Sequence, residues 1–117
     1  NYNNVATFVT YGRLKWNNGG TLTDLIADSN VSSMAIDRKG RAYLTSDTAL
    51  GTMPAPVLLS FDLASASTTN PNVVARIATI PTAIEIRGLA IDPTNEELYA
   101  LGSDGWLFVI SPTTGAI

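Results

Sequence analysis

The sequence Met34-Ala35-Ile36-Asp37, followed by a polar turn and by Ala42-Tyr43-Leu44, has a similar second copy in this chain. The second copy reads Leu89-Ala90-Ile91-Asp92, then another polar turn, then Leu98-Tyr99-Ala100. Asp37 and Asp92 lie 55 positions apart, which is close to the length of one supersecondary unit in a repeat protein. Because one such unit cannot bury its apolar face alone, the sequence predicts that neighbouring units stack and share a core.

Strand signals dominate the rest of the chain. Short runs rich in β-branched and aromatic residues are bounded by Gly, Pro, Asn, Asp and Ser, and no segment shows a convincing helical period. The predicted strands are residues 5–11, 21–27, 32–36, 41–46, 57–63, 73–79, 88–91, 97–101 and 106–111. Strands at this close spacing predict an all-β fold.

The connections between these strands carry residues that favour tight turns. Asn17-Asn18-Gly19-Gly20 offers several positions that tolerate a positive φ, and Asp104-Gly105 is a strong hairpin signal. Asp37 and Asp92 stand at the same place in the two repeats, where a carboxylate can accept a hydrogen bond from a backbone N–H of the turn. We therefore interpret both as turn residues rather than as metal ligands or catalytic groups.

The composition narrows the classes of function. The chain has 117 residues, of which 45% are hydrophobic and 15% charged, which is typical of a globular domain. Its net charge of -3 and its seven basic residues argue against a nucleic-acid partner, and no apolar run is long enough to span a membrane. Without cysteine or histidine, the chain cannot by itself form disulfides, Cys/His zinc sites or Ser-His-Asp triads. The compartment is not fixed by composition, and secreted and virion-associated locations both remain open.

Three stretches of the second repeat carry a family resemblance: Gly88-Leu89-Ala90-Ile91-Asp92, Glu97-Leu98-Tyr99-Ala100-Leu101, and Gly105-Trp106-Leu107-Phe108-Val109-Ile110 followed by Pro112-Thr113-Thr114-Gly115-Ala116. Together they resemble a blade of bacterial β-propellers of the NHL and SMP-30-like kind, and of secreted propellers of unknown function whose blades read LYAL, GSDG, LY, ID and TTGA. The resemblance covers residues 32–117 well and residues 1–31 weakly. It implies four-stranded antiparallel blades and specifies the fold far more than any function.

The resemblance also gives a count of blades. With the strands of a blade labelled A to D from the inside outward, residues 32–79 supply a complete blade, residues 88–117 supply strands A to C of a second, and residues 1–31 supply strands C and D of a third. About two blades cannot close a propeller ring, so the chain either belongs to a longer propeller or associates. We expect a homotrimer with six blades, in which residues 21–27 of one chain complete the sheet of residues 88–111 in the next.

In propellers, the loops from strand D to A and from strand B to C usually gather on one face, which often binds ligands. The loop of residues 47–56 is longer than the tight turn of residues 103–105 in the second repeat. Such long loops often carry binding function, but a neutral insertion is the commoner case because it costs little stability. This face would carry the candidate ligand-binding residues Asp28, Asp47, Glu85, Arg87, Asp104 and Trp106. The opposite face would hold Arg13, Lys15, Trp16, Arg38, Lys39 and Arg41. The alternative for all of them is a solvated turn, because exposed turns are polar for backbone reasons alone.

No dedicated cofactor site is predicted, and the chain lacks an Asp-x-Asp-x-Asp-Gly calcium loop. A three-fold assembly would bring copies of Glu85 and Asp28 towards the axis, where converging carboxylates could hold a divalent cation such as calcium. Glu85 and Arg87 could equally form an ion pair. Trp16 or Trp106 could stack on a sugar face, although packing between blades is the commoner role of such a residue.

Three classes of function follow from these observations. The leading hypothesis is a non-enzymatic binding or assembly module with a carbohydrate or protein ligand. The resemblance to SMP-30-like hydrolases implies a metal-dependent lactonase or esterase as the alternative, although the sequence shows no matching constellation of acidic and amide residues. The third class is a structural component of an extracellular or viral assembly.

Overall fold

The computed structural model describes residues 10–117, and this part of the chain is all-β, as the sequence predicted. Its strands are β1 Leu14–Asn18, β2 Thr21–Asp24, β3 Val31–Ile36, β4 Arg41–Ser46, β5 Val57–Asp62, β6 Asn72–Val73, β7 Ala75–Thr79, β8 Ile86–Ile91, β9 Leu98–Gly102 and β10 Leu107–Ile110. A one-turn helix, α1 (Leu25–Asp28), follows β2, and a 3-10 turn, Leu63–Ser65, follows β5. No helix among residues 10–117 is long and apolar enough to cross a membrane.

The strands form three sheets, which we call N-terminal, central and C-terminal. The central sheet has the order β3-β4-β5-β7 and is antiparallel throughout, and the C-terminal sheet has the order β10-β9-β8. The N-terminal sheet, in the order β2-β1-β6, is mixed because β6 runs parallel to β1. Within the described residues, these sheets do not close into a ring.

The two repeats adopt the same pairing in their sheets. Ala35 lies opposite Tyr43 in the central sheet, as Ala90 lies opposite Tyr99 in the C-terminal sheet. The repeat even includes a register shift near the start of the first strand, after Val31 in one sheet and after Ile86 in the other. The sequence repeat is therefore a structural repeat, in which β3 and β4 of the central sheet correspond to β8 and β9 of the C-terminal sheet.

Each face of the central sheet packs on a neighbouring sheet. Its front face, which includes Ala35, Tyr43 and Leu58, packs on the C-terminal sheet. Its back face, which includes Leu44 and Phe61, packs on the N-terminal sheet. The alternation of side chains along each strand makes two separate cores from one sheet.

The layers stack head to tail. The C-terminal sheet meets the front face of the central sheet with Leu98, Ala100 and Ile110. The first two are the repeat equivalents of Ala42 and Leu44, which lie on the back face of the central sheet. The C-terminal sheet thus applies its back face to the front face of the central sheet, as neighbouring units do in repeat proteins.

The N-terminal region differs from the sequence prediction. The predicted strand 21–27 is wrong beyond Asp24, because residues Leu25–Asp28 turn into α1. Strand β1 was not predicted, and it forms a hairpin with β2 in which Gly19 (φ 59°) and Gly20 (φ 94°) make the two-residue turn. Most of the predicted strand 5–11 lies outside the described residues, and its last two residues are not in a strand.

Smaller differences lie at the strand ends. The predicted strand 57–63 ends one residue earlier, where the 3-10 turn begins, and the predicted strand 73–79 is interrupted at Val74. The interruption has a topological reason, because β6 pairs with β1 of the N-terminal sheet whereas β7 pairs with β5 of the central sheet. The chain segment Asn72–Thr79 thus links the N-terminal sheet to the central sheet.

Candidate functional site

Four loops meet at one end of the molecule, which we call the loop end: α1 to β3, β4 to β5, β7 to β8, and β9 to β10. The backbone N–H of Asp47 donates to the carbonyl of Asn30 at 3.0 Å, which joins the first two loops. The backbone N–H of Ser103 donates to the carbonyl of Glu85 at 2.8 Å, which joins the last two. The loops that carry the predicted site residues therefore gather at one end.

Asp47 connects the two repeats at the loop end. Its Oδ1 accepts a hydrogen bond from the backbone N–H of Ile86 at 3.2 Å. Its Oδ2 is buried and finds no hydrogen-bond partner among the described residues, and the same holds for Oγ1 of the fully buried Thr45. The carboxylate of Asp47 thus positions the start of β8 against the central sheet.

Glu85 and Arg87 form an ion pair on β8 and the loop before it. A guanidinium nitrogen of Arg87 contacts Oε2 of Glu85, and both side chains are about half exposed. An exposed pair of this kind adds little to stability. Both side chains are therefore accessible from solvent, and their opposite charges neutralise one another.

Asp104 and Trp106 shape the tight turn between β9 and β10. Oδ1 of Asp104 accepts a hydrogen bond from the backbone N–H of Trp106 at 3.1 Å, which is the turn chemistry expected of an Asp at this place. The side chain of Trp106 is 68% exposed. Of the two tryptophans, only this one is available to a ligand in the described structure.

Trp16 and Asp28 meet inside the N-terminal layer. Trp16 is buried, its Nε1 donates to Oδ2 of Asp28 at 2.9 Å, and the guanidinium of Arg76 lies 5.2 Å from its ring centroid. The assignment of Trp16 to the face opposite Asp28 was wrong, because the unpredicted strand β1 brings the two side chains together. The carboxylate of Asp28 thus supports a core tryptophan.

The acidic candidates do not converge into a metal-holding group within one chain. Among residues 10–117, no group of three or more His, Cys, Asp or Glu side chains is placed to hold a metal ion. The carboxylates of Asp28, Asp47, Glu85 and Asp104 instead bind a tryptophan, a backbone amide, an arginine and a turn amide.

The opposite end of the molecule carries mixed charge. The carboxylate of Asp37 accepts hydrogen bonds from the backbone N–H groups of Lys39 and Arg41, so it holds the β3–β4 turn as the sequence predicted. A cavity of about 350 Å³ is lined by Asp37, Lys39, Arg41, Tyr43 and Asp62. Burial raises the pKa of the Tyr43 hydroxyl, and the nearby Asp37 carboxylate raises it further.

Sequence reasoning missed the front face of the C-terminal sheet, an apolar face that no other sheet of residues 10–117 covers. Its side chains are Ala90, Tyr99, Leu101, Leu107 and Val109, all partly or largely exposed. Leu101 is 45% exposed and Leu107 is 63% exposed. In the central sheet, by contrast, the equivalents of Ala90 and Tyr99 are buried under the next layer. The repeat equivalence, applied to the last layer of the stack, is the signal that would have found this face.

The outer face of the N-terminal sheet carries an ion-paired cluster. Lys15 and Arg13 both pair with Asp24, and the hydrogen bonds from these two cations hold the pKa of the Asp24 carboxyl below its ordinary value, that from Lys15 contributing most. Leu22 and Val73 lie on the same face and are 41% and 39% exposed. The outer face of this sheet therefore mixes charged and apolar side chains, whereas the front face of the C-terminal sheet is mainly apolar.

Comparison with models of protein families, with curated proteins and with solved structures found no match to this chain.

Proposed function

We propose that this chain is a non-enzymatic assembly module built from β-propeller blades, and that the front face of its C-terminal sheet binds a further β-sheet. The observation that carries the proposal is the difference between two equivalent surfaces. The face that holds Ala35 and Tyr43 is covered by a sheet, whereas no sheet of the described residues covers the face that holds Ala90 and Tyr99. Exposed apolar sheet faces of this kind mark interaction surfaces.

The proposed assembly is a closed ring of chains. Each chain brings the central sheet, the C-terminal sheet and the N-terminal hairpin, so three chains would give six blades, within the range of known propellers. Both β2 and β10 are edge strands among the described residues, which leaves each with backbone groups directed away from its own sheet. Pairing of β2 from one chain with β10 of the next would complete the C-terminal blade.

A ligand role is proposed for the loop end of the ring. The exposed ring of Trp106 supplies a flat apolar surface, and aromatic side chains with such exposure can pack against the face of a sugar. Asp47, Glu85, Arg87 and Asp104 lie in the same group of loops and supply polar groups. The ligand class in this proposal is a carbohydrate, with a protein loop as the alternative.

Sedimentation velocity on the full chain and its variants tests the assembly. Leu107→Glu and Val109→Glu each place a carboxylate on the front face, and each should reduce the mass of the assembly to that of one chain. Ile117→Glu is the matched control, since Ile117 is an exposed apolar residue outside that face. A wild-type chain that stays monomeric at all concentrations, or front-face variants that keep the wild-type mass, would overturn the proposal.

A further inference from the structure

The described residues cover the back face of the central sheet only in part. The N-terminal sheet packs over Leu59 and Phe61 of β5, which are buried, but two apolar side chains of β3 on the same face remain open. These are Met34, which is 53% exposed, and Ile36, which is 48% exposed. The uncovered part of the back face therefore runs along β3.

Two cavities mark the gap beside β3. One, of about 450 Å³, is lined by the apolar Leu25, Ile26 and Val31 and by the polar Arg13, Ser29 and Asn30. The other, of about 360 Å³, is lined by Met34, Ala42, Phe61 and neighbouring residues. Leu14 and Leu44 line both cavities. Together they form a largely apolar groove, which we call the β3 groove.

The repeat shows what covers this position elsewhere in the chain. The equivalents of Met34 and Ile36 are Leu89 and Ile91 of β8, which pack against the front face of the central sheet. The contact there is close, because the backbone N–H of Leu89 donates to Oγ of Ser33 at 2.8 Å. The back face of the C-terminal sheet along β8 is thus covered by the front face of the central sheet along β3.

We infer that the β3 groove binds the front face of β8 in a second copy of this chain. This inference rests on the proposed function and names its partner surface. Ala90 of the second copy would lie over Met34 and Ile36. Within one chain, Ala35 belongs to the core against which their equivalents Leu89 and Ile91 pack. The contact is apolar, because Gly88 stands at the position equivalent to Ser33 and offers no hydroxyl. Two exposed apolar surfaces at different places on one chain make a head-to-tail interface.

Charge makes the outer face of the N-terminal sheet the less favourable surface for a second copy. That face carries the ion pairs of Lys15 and Arg13 with Asp24, beside the exposed Leu22 and Val73. Docking the apolar front face there would remove these charged groups from water without supplying new partners, which costs free energy. The cost at the β3 groove is smaller, since Arg13 lines only one of its two cavities and the β3 side chains that line them, Val31 and Met34, are apolar.

A mixing experiment with two full-length variants tests the inference. Ala90→Glu disables the front face and leaves the β3 groove intact, whereas Met34→Glu disables the groove and leaves the front face intact. Each change should weaken self-association by about tenfold or more, because the interface would bury an unpaired carboxylate. Mixed in equal amounts, the two variants should form a dimer of one chain each, since one intact interface remains between them.

The outcomes separate the inference from the proposal on which it rests. If Met34→Glu self-associates like the wild type and the mixture forms no mixed dimer, the β3 groove is not the binding site. The front face would then remain the proposed binding surface, with a different partner. A wild-type chain that never associates would overturn both. Far-ultraviolet circular dichroism checks that each variant folds, and Ile36→Glu with Leu101→Glu repeats the experiment if either does not.

Discussion

Oδ2 of Asp28 accepts a hydrogen bond from the buried indole Nε1 of Trp16 at 2.9 Å. This contact links α1 to β1 and closes the N-terminal layer over the central sheet. The same carboxylate oxygen accepts from Oγ1 of Thr23 at 3.1 Å. A residue predicted to bind a ligand therefore has a structural task, and that task can be measured.

We predict that Asp28→Ala lowers the free energy of unfolding by about 1 to 3 kcal/mol, because the buried indole N–H of Trp16 loses its partner. Asp28→Asn keeps an acceptor oxygen and should lose less. Urea denaturation followed by tryptophan fluorescence measures both variants. Equal stability of Asp28→Ala and the wild type would show that the hydrogen bond does not hold the layer.

Two leucines of β9 give a matched test of the layer stacking. Leu98 is fully buried against the central sheet, whereas Leu101 lies on the open front face. Leu98→Ala should cost about 2 to 5 kcal/mol of unfolding free energy. Leu101→Ala should change it by less than about 0.5 kcal/mol at a concentration where the chain is monomeric. Similar losses at both positions would contradict the assignment of back and front faces.

Gly115 packs the end of the described chain against β7. Its φ is 74°, and a Cβ atom there would lie 2.9 Å from Cβ of Ala78. Gly115→Ala should therefore destabilise the fold by more than Gly105→Ala, where φ is also positive but the space is open. Thermal unfolding of the two variants checks the order, and the reverse order would contradict the packing of this segment.

Asp24 makes the stability depend on pH. Hydrogen bonds from Lys15, and then from Arg13, lower its pKa below the ordinary 3.8, so the folded state favours the carboxylate. The stabilisation is fully present above the unfolded pKa and is lost as the pH falls through the lower folded pKa. Asp24→Asn should be less stable than the wild type at neutral pH. The two proteins should become equally stable once the pH is below the pKa of Asp24 in the folded wild type. Urea denaturation from pH 7 down to pH 2.5 measures the difference, and a difference constant over this range would contradict the role of this carboxylate.

Trp106 tests the proposed carbohydrate ligand. Because its side chain is exposed, Trp106→Ala should change the unfolding free energy by less than about 0.5 kcal/mol. On a glycan array, the same variant should lose most of the signal of the wild type, since stacking on the indole would carry the affinity. Phe in place of Trp106 should keep part of the signal. A variant Trp106→Ala that binds like the wild type would remove this residue from the ligand site.

The strands of the two repeats could be predicted because their signals are local. Alternating apolar residues and Asp-initiated turns define β3 and β4, and the same signals recur in β8 and β9. Strand β1 could not be predicted in this way, since it has few apolar residues and its conformation depends on Trp16 packing against distant residues. Likewise, α1 continues the apolar pattern of β2, and the change at Asp24 is a tertiary effect.

Some features of the candidate site could likewise be predicted from local signals, and others could not. The meeting of the loops at one end followed from the order of the strands, which the repeat makes visible. The direction of the Asp28 side chain did not follow, because its partner lies in the strand that was missed. The open front face was also missed, since Ala90 and Ala35 have similar local sequences and their different burial depends on the position of their sheets in the stack.

The mass of the full chain in solution tests the central claim most directly. Sedimentation equilibrium over a wide range of concentration should show a species of about 37 kDa, which is three chains of 12.4 kDa. A single species of 12.4 kDa at every concentration would contradict the assembly of this chain through its open sheet face.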